Sequence, residues 1–158
     1  MRILNRRFLT VAGIGVAISL FLFAGILMAK STLAPLTAQI EKRFAAADTD
    51  SPMTCGASFI YAPLALWELY RDRHFQPAWI DSEGPLPHVE SFLQAVRQAD
   101  REGLKPADYH LDHISSLVSE WRNSIARKER FPLTGRIDLE PLLTDAFVLY
   151  GHHLLNGR

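Results

Sequence analysis

The 158-residue chain has one cysteine, Cys55, so no internal disulfide can stabilise it. That thiol sits in "SPMTCGAS", a turn-like stretch with no histidine nearby in sequence to activate it. It reads as an unpaired linker cysteine. With no apolar run just before it, lipid attachment there is not expected. The chain also lacks a glycine-rich phosphate loop, an H-E-x-x-H pair and a G-x-S-x-G elbow, the commonest local signatures of nucleotide, zinc-protease and serine-hydrolase chemistry. No run of useful length alternates apolar and polar residues, so a sheet is not expected. No internal repeat or extended low-complexity tract is present.

Charge is absent in one long stretch. From Phe8 to Ala29, 22 positions pass without a charged side chain. As a helix this segment would span roughly 33 Å, about the thickness of a bilayer's hydrocarbon core. Arg2, Arg6 and Arg7 precede it and only Lys30 follows closely. The positive-inside bias therefore keeps the N-terminus cytoplasmic and exports the remainder. A cleaved secretory signal would share the basic start, but its apolar region is shorter, and "LMAKSTLA" offers only a weak cleavage site. An uncleaved anchor is the favoured reading.

The formal net charge is zero, with 17 basic and 17 acidic residues. Four of the basic residues belong to the anchor and its flanks. Residues 31–158 therefore carry 13 basic against 17 acidic side chains, a net of −4. An acidic domain is a poor partner for nucleic acid, and no lysine or arginine cluster in the sequence marks a lipid-headgroup patch.

The remainder reads as all-α. Residues 1–30 form the anchor segment, 31–58 a juxtamembrane helix and linker, and 59–158 a small helical domain. Leu36, Ile40 and Phe44 recur every four residues, as on an amphipathic helix. "APLALWELYRDR" tolerates Pro63 in its first turn and offers Leu64, Trp67, Leu69 and Tyr70 for burial. "HFQPAWI" is a short extended piece. "HVESFLQAVRQADREG" has Val89, Phe92, Leu93 and Val96 on one face and stops at Gly103. Further helices are expected in "LKPADYHLDHISSLVSEW" and over residues 138–155, with Asn156-Gly157 as a cap. "RNSIARKERFPLTGR" between them is expected to be a solvated connection.

The densest group of potential ligands is "DYHLDH", Asp108 to His113. On one continuous helix His110 and His113 would share a face, and a small metallohydrolase could be built from them and an acidic residue. The competing reading is structural. Pro106 suits a first turn, and Asp108 and Asp112 suit helix caps near a positive helix end. If "PADYH" is a single turn and Asp112 caps the next helix, the histidines part, and Leu111, Ile114, Leu117 and Val118 form the buried stripe. His152 and His153 point about 100° apart and cannot chelate as a pair. His74 and His88 flank turns. Glu68 and Glu83 could be imagined as an acid pair for sugar hydrolysis, but read as solvated charges. Spacing alone assigns no catalytic, cofactor-binding or metal-binding residue.

Three blocks carry more than their chemistry: "LWELYRDRHFQPAWIDSEGPLP", "FLQAVRQADREGLKPADYHL" and "DLEPLLTDAFVLYGHHLLNGR". Their order and spacing resemble the N-terminal scaffold domain of the large, membrane-anchored murein L,D-transpeptidases, over roughly residues 60–158. The resemblance implies cell-wall biogenesis at the bacterial inner membrane, with residues 31–158 in the periplasm. It implies peptidoglycan crosslinking by a catalytic cysteine that lies, in the family, in a later serine-x-glycine-cysteine stretch preceded by histidine. Nothing here matches that stretch, and Cys55 lies upstream of the scaffold. The peptidoglycan-binding module is unmatched too, so a truncated scaffold without its own catalytic centre is expected. Its partner would be the transpeptidase module, in cis or in trans. The alternative is a stand-alone anchored adaptor that binds a wall enzyme or peptidoglycan.

Overall fold

A computed structural model describes residues 36–45 and 52–157. The expected span at residues 8–29 lies outside them. Among the described residues, no helix is long and apolar enough to cross a membrane. The elements run in the order α1 (36–45), β1 (Thr54–Cys55), β2 (Ser58–Phe59), α2 (Pro63–Asp72), α3 (Pro87–Arg97), α4 (Leu111–Ala126) and α5 (Leu133–Asn156), with 3-10 turns at Ala99–Glu102 and Pro106–Tyr109. The mainly helical expectation holds. The sheet is limited to a tiny antiparallel hairpin, with Thr54 opposite Phe59 and Cys55 opposite Ser58.

That hairpin lies in the stretch expected to be linker. Its Cys55 is fully buried, together with Met53, and the α1 stripe Leu36, Ile40 and Phe44 enters the same core. The turn at Gly56, whose φ of 55° suits glycine, folds the strand pair back. The Arg43 guanidinium then ties α1 to the hairpin by donating to the Thr54 carbonyl, and to α5 by pairing with Asp138 at 2.8 Å. Cys55 is thus unpaired, as expected, but a core residue and not a linker one.

α2 buries Leu66 and Tyr70, four apart. Leu64, Trp67 and Leu69, expected inside, remain exposed. The Arg71 guanidinium lies over the Trp67 ring, 4.8 Å from its centroid. α3 starts with Pro87 at its first position, buries Val89, Leu93 and Val96, and passes through the 3-10 turn to a left-handed stop at Gly103, as its sequence predicts. On its outer side Glu90 pairs with Arg97 at 2.9 Å and with Arg122 of α4 at 3.0 Å.

The region of Asp108 to His113 divides. Residues 106–109 make the single turn, His110 adopts a left-handed conformation at φ 55°, and α4 begins at Leu111. Asp112 lies inside the first turn of α4 and is not its cap; His110 holds that position, without a side-chain cap bond. Ile114 and Val118 are buried, while Leu111 and Leu117 pack at the core's edge.

The connection from α4 to α5 is shorter than its charge suggests. α4 runs on to Ala126 and α5 already starts at Leu133, leaving six residues between them. Phe131 pulls this loop inward. It stacks on Trp121 at 5.0 Å with an interplanar angle of 11°. A side chain at Gly135 would strike the Phe131 ring at 2.6 Å, so glycine lets the first turn of α5 close over it. Pro141 sits inside α5 without ending it. The helix ends at Asn156 with Gly157, whose N–H reaches the His153 carbonyl at 2.9 Å.

α5 is the axis of the molecule. Leu139 to Ala146 are all buried, whereas its last turns leave the core. Truncating Leu143, fully buried, to alanine is expected to cost about 2–5 kcal/mol. Leu155, 85% exposed on the same helix, should lose no more than about 0.5 kcal/mol. Urea unfolding followed by tryptophan fluorescence compares the two; equal losses would contradict this placement of α5.

Candidate functional site

Polar side chains on the buried stretch of α5 organise the interior. Glu140 is fully buried and its Oε1 accepts the backbone N–H groups of Ala78 and Trp79 and the Tyr70 hydroxyl at 3.0 Å. One turn on, Thr144 Oγ1 accepts the Trp79 indole N–H at 2.8 Å, lies 2.7 Å from the Tyr70 hydroxyl and donates to the Glu140 carbonyl. Asp145, also fully buried, accepts the N–H groups of Tyr61 and Ala62 at 3.1 and 2.8 Å and the His110 ring at 2.8 Å. The cap position of α2 is Ala62, which has no side-chain acceptor of its own. The carboxylate of Asp145 supplies one from another helix, at the end of α2 where the dipole favours negative charge.

The sequence-selected histidines are thereby accounted for. His110 turns to Asp145 and stacks beneath Tyr61 at 5.7 Å, whereas His113 Nδ1 lies 2.8 Å from the Ser58 hydroxyl of β2. The two rings serve different partners. Among the described residues no group of three or more histidine, cysteine or acidic side chains could hold a metal ion. His153 meets the Tyr109 hydroxyl at 3.0 Å, while its neighbour His152 is exposed. His74 is exposed in the turn after α2, and His88 reaches the Ala78 carbonyl at 3.1 Å. Glu68 and Glu83 are exposed on separate elements, α2 and the turn before α3.

Sequence reasoning overlooked Glu140 and Asp145. The available signal was two carboxylates inside "DLEPLLTDAFVL", an otherwise apolar helix with nowhere to turn them toward water. Burial pushes the Glu140 carboxyl up to about 7, against the opposing pull of the Ala78 N–H and Tyr70 hydroxyl. Burial likewise raises the Tyr70 hydroxyl well above its usual range, helped by the charge of Glu140. Burial also pushes the Cys55 thiol up to about 12, with the Asp138 carboxylate adding to it. A thiol held that high is a poor nucleophile.

What the fold presents outward is aromatic. Trp79, Phe92, Phe147 and Tyr150 form one chain of ring contacts, with Trp79–Phe92 at 5.5 Å, Trp79–Phe147 at 5.6 Å, Phe92–Phe147 at 5.7 Å and Phe92–Tyr150 at 6.4 Å. His88 lies against Trp79 at 5.2 Å. Trp79 forms the floor at 8% exposure, and Phe147 stands at the rim at 54%. Two other large aromatic side chains stay outside this chain of contacts: Tyr70 is withdrawn into the core against Phe44, and Trp67 lies apart on α2 with Arg71. The outward face therefore belongs to α3 and the emerging half of α5, which continues into exposed Leu154 and Leu155.

A family model described as a scaffold domain matches residues 65–158, from the first turn of α2 onward. No curated protein and no solved structure matches the chain.

Glu140 sets a pH dependence with a definite sign. Between the ordinary carboxyl value of 4.5 and about 7, the folded chain holds a proton that the unfolded chain has released. Stability should therefore fall as pH rises through that window, by an amount on the order of 3 kcal/mol, and level off above it. Glu140→Gln keeps an oxygen for the two backbone N–H groups and should flatten the dependence; urea midpoints across pH 4.5–8 for both proteins measure it. Asp145→Ala strands buried donors at the start of α2 and should cost about 3 kcal/mol or more. Cys55 should resist iodoacetamide at pH 8 until the chain is unfolded, as mass spectrometry would show.

Proposed function

The chain belongs to the Scaffold domain family, and on that footing we propose that it is the scaffold portion of a peptidoglycan-crosslinking L,D-transpeptidase, held at the bacterial inner membrane by residues 8–29. Its task is mechanical: to present a rigid helical face on which the catalytic transpeptidase module, in cis or in trans, is seated. The observation that carries this reading is the Phe147 ring. It stands 54% exposed in the middle of an aromatic chain whose other members are partly or fully buried. A large aromatic side chain at the rim of a packed cluster is the pattern of an anchor for a partner surface.

The three sequence blocks that resemble the transpeptidase scaffold support the reading from a second side. They map onto α2 with the loop after it, α3 through the 106–109 turn, and the buried and emerging halves of α5. Those are the elements that build the aromatic face and its polar foundation. The bond-making cysteine is assigned to the partner module, because Cys55 is buried and its thiol is held up to about 12.

The test is direct binding. The full chain in detergent should capture a separately produced L,D-transpeptidase catalytic module, and Phe147→Asp should weaken capture at least ten-fold by placing a charge where an apolar ring is desolvated, a loss of about 1.4 kcal/mol or more. The same substitution should leave the urea midpoint nearly unchanged, because Phe147 is half solvated already. Capture unaffected by Phe147→Asp would overturn the assignment of this face. Retention on purified sacculi, with no affinity for the catalytic module, would favour the adaptor reading instead.

A further inference from the structure

The surface around the α4–α5 loop is different in character. Four cationic side chains gather around the α4–α5 loop: Arg127, Lys128 and Arg130 in the loop itself, and Arg136 one turn into α5. All four lie in the stretch "RNSIARKERFPLTGR", expected from its charge to be a solvated connection. The Arg136 guanidinium lies 5.0 Å over the Trp121 ring, the same ring on which Phe131 is stacked. Burial and the nearby charge of Arg130 hold the Arg136 guanidinium below its usual value, and its Nε is buried without a hydrogen-bond acceptor.

Of these four cations only Arg127 is held in an ion pair. Glu129 is taken by Arg127 at 2.8 Å, and Asp138 by Arg43 at 2.8 Å. The turn before α3 approaches through Gly84, where an added side chain would come within 3.3 Å of Ile125. That turn brings Asp81, whose Oδ1 accepts the N–H groups of Glu83 and Gly84, and the exposed Glu83. Among the described residues Lys128, Arg130 and Arg136 form no ion pair. On either side of the cations stand two exposed apolar side chains, Ile125 at 49% and Leu133 at 45%.

The loop is not slack. Lys128 N–H reaches the Ile125 carbonyl at 2.9 Å, Glu129 N–H reaches that of Ser124 at 2.8 Å, and Phe131 is buried. Lys128 adopts a left-handed φ of 57° to close the turn. Cations and aliphatic side chains are thus held outward together, the combination that suits the interface of an anionic bilayer.

Distance along the chain supplies the occupant. Only residues 30–35 separate the uncharged segment at 8–29 from α1, and six residues reach about 20 Å at most. About two turns into α1, Arg43 fastens it to Asp138, little more than one turn into α5. We propose that the α4–α5 loop rests on anionic phospholipid, with Lys128 and Arg130 on the headgroups and Ile125 and Leu133 in the interface. This rests on the anchor reading given above. Phe147 lies nearly four turns along α5 from Leu133, about 21 Å from that contact.

The experiment uses the full chain in vesicles, labelled with an environment-sensitive dye at Thr134→Cys or, separately, at Leu155→Cys. In vesicles containing phosphatidylglycerol, the Thr134 label should blue-shift and be quenched by brominated lipid, and the Leu155 label should not. Lys128→Gln with Arg130→Gln, or high salt, should reduce that response roughly ten-fold. A Thr134 label equally exposed in phosphatidylglycerol and pure phosphatidylcholine vesicles, or quenching at Leu155 instead, overturns the proposal. Flotation with phosphatidylcholine vesicles reports the anchor separately. If that fails, salt-sensitive flotation with phosphatidylglycerol vesicles that the double variant loses still supports the loop contact, and its absence overturns it.

Discussion

The structure depends on two carboxylates buried in the middle of one helix. Moving an ionisable side chain out of water costs several kcal/mol unless its oxygen atoms are fully engaged. Glu140 and Asp145 therefore act as fixed demands, and the surrounding chain is arranged to meet them. Glu140 draws in the backbone at Ala78 and Trp79, and Asp145 draws in the backbone at Tyr61 and Ala62 together with His110. Four of the seven donors reaching these carboxylates and Thr144 are main-chain N–H groups of non-helical segments. Those segments would otherwise be the hardest parts of a small helical domain to fix.

The consequence is that loops become as determinate as helices. The segment around Trp79 is not the extended piece expected, since His74 and Phe75 are left-handed and Ala78 and Trp79 form a bend. Glu140 beneath holds it, and this puts the Trp79 ring where Phe92 and Phe147 can pack on it. The left-handed conformation of His110, unfavourable for a residue with a side chain, is retained because it aims the ring at Asp145. The aromatic face and the polar core are therefore one construction seen from two sides. A change at Glu140 reaches the face through the Trp79 backbone, without touching any exposed atom.

Periodicity made the helices legible wherever a helix buries one stripe. α1, α3 and α4 follow their spacing, down to the stops at Gly103 and Gly157. Spacing misled where a helix has two neighbours or none. In α2 every apolar residue was a candidate for burial, but only Leu66 and Tyr70 meet α5, and Trp67 finds a guanidinium instead. The polar hinge between α4 and α5 hid Phe131, one aromatic residue that shortens the connection by stacking on Trp121. The hairpin at residues 54–59 was illegible for another reason: its burial comes from Arg43 and α5, both distant in sequence. In the Asp108–His113 stretch the single turn at residues 106–109 was legible, but Asp112 does not cap the next helix, and His110 turns to a partner, Asp145, that local spacing could not supply.

Because α5 packs against α2, α3, α4 and the hairpin, it also sorts the molecule's tasks by depth. Its middle, Leu139 to Ala146, holds the fold and tolerates little change. Its C-terminal turns, freed from the core, are apolar without being buried, which a chain under selection for solubility alone would replace with charge. Its first turns end at a loop where cations outnumber the acids able to answer them. A helix about 36 Å long with such different ends is a spacer as much as a core element, because bending it would first break the bonds of Glu140 and Asp145. The interactions that make the domain stable are thus the ones that fix how far apart its two outward surfaces stand.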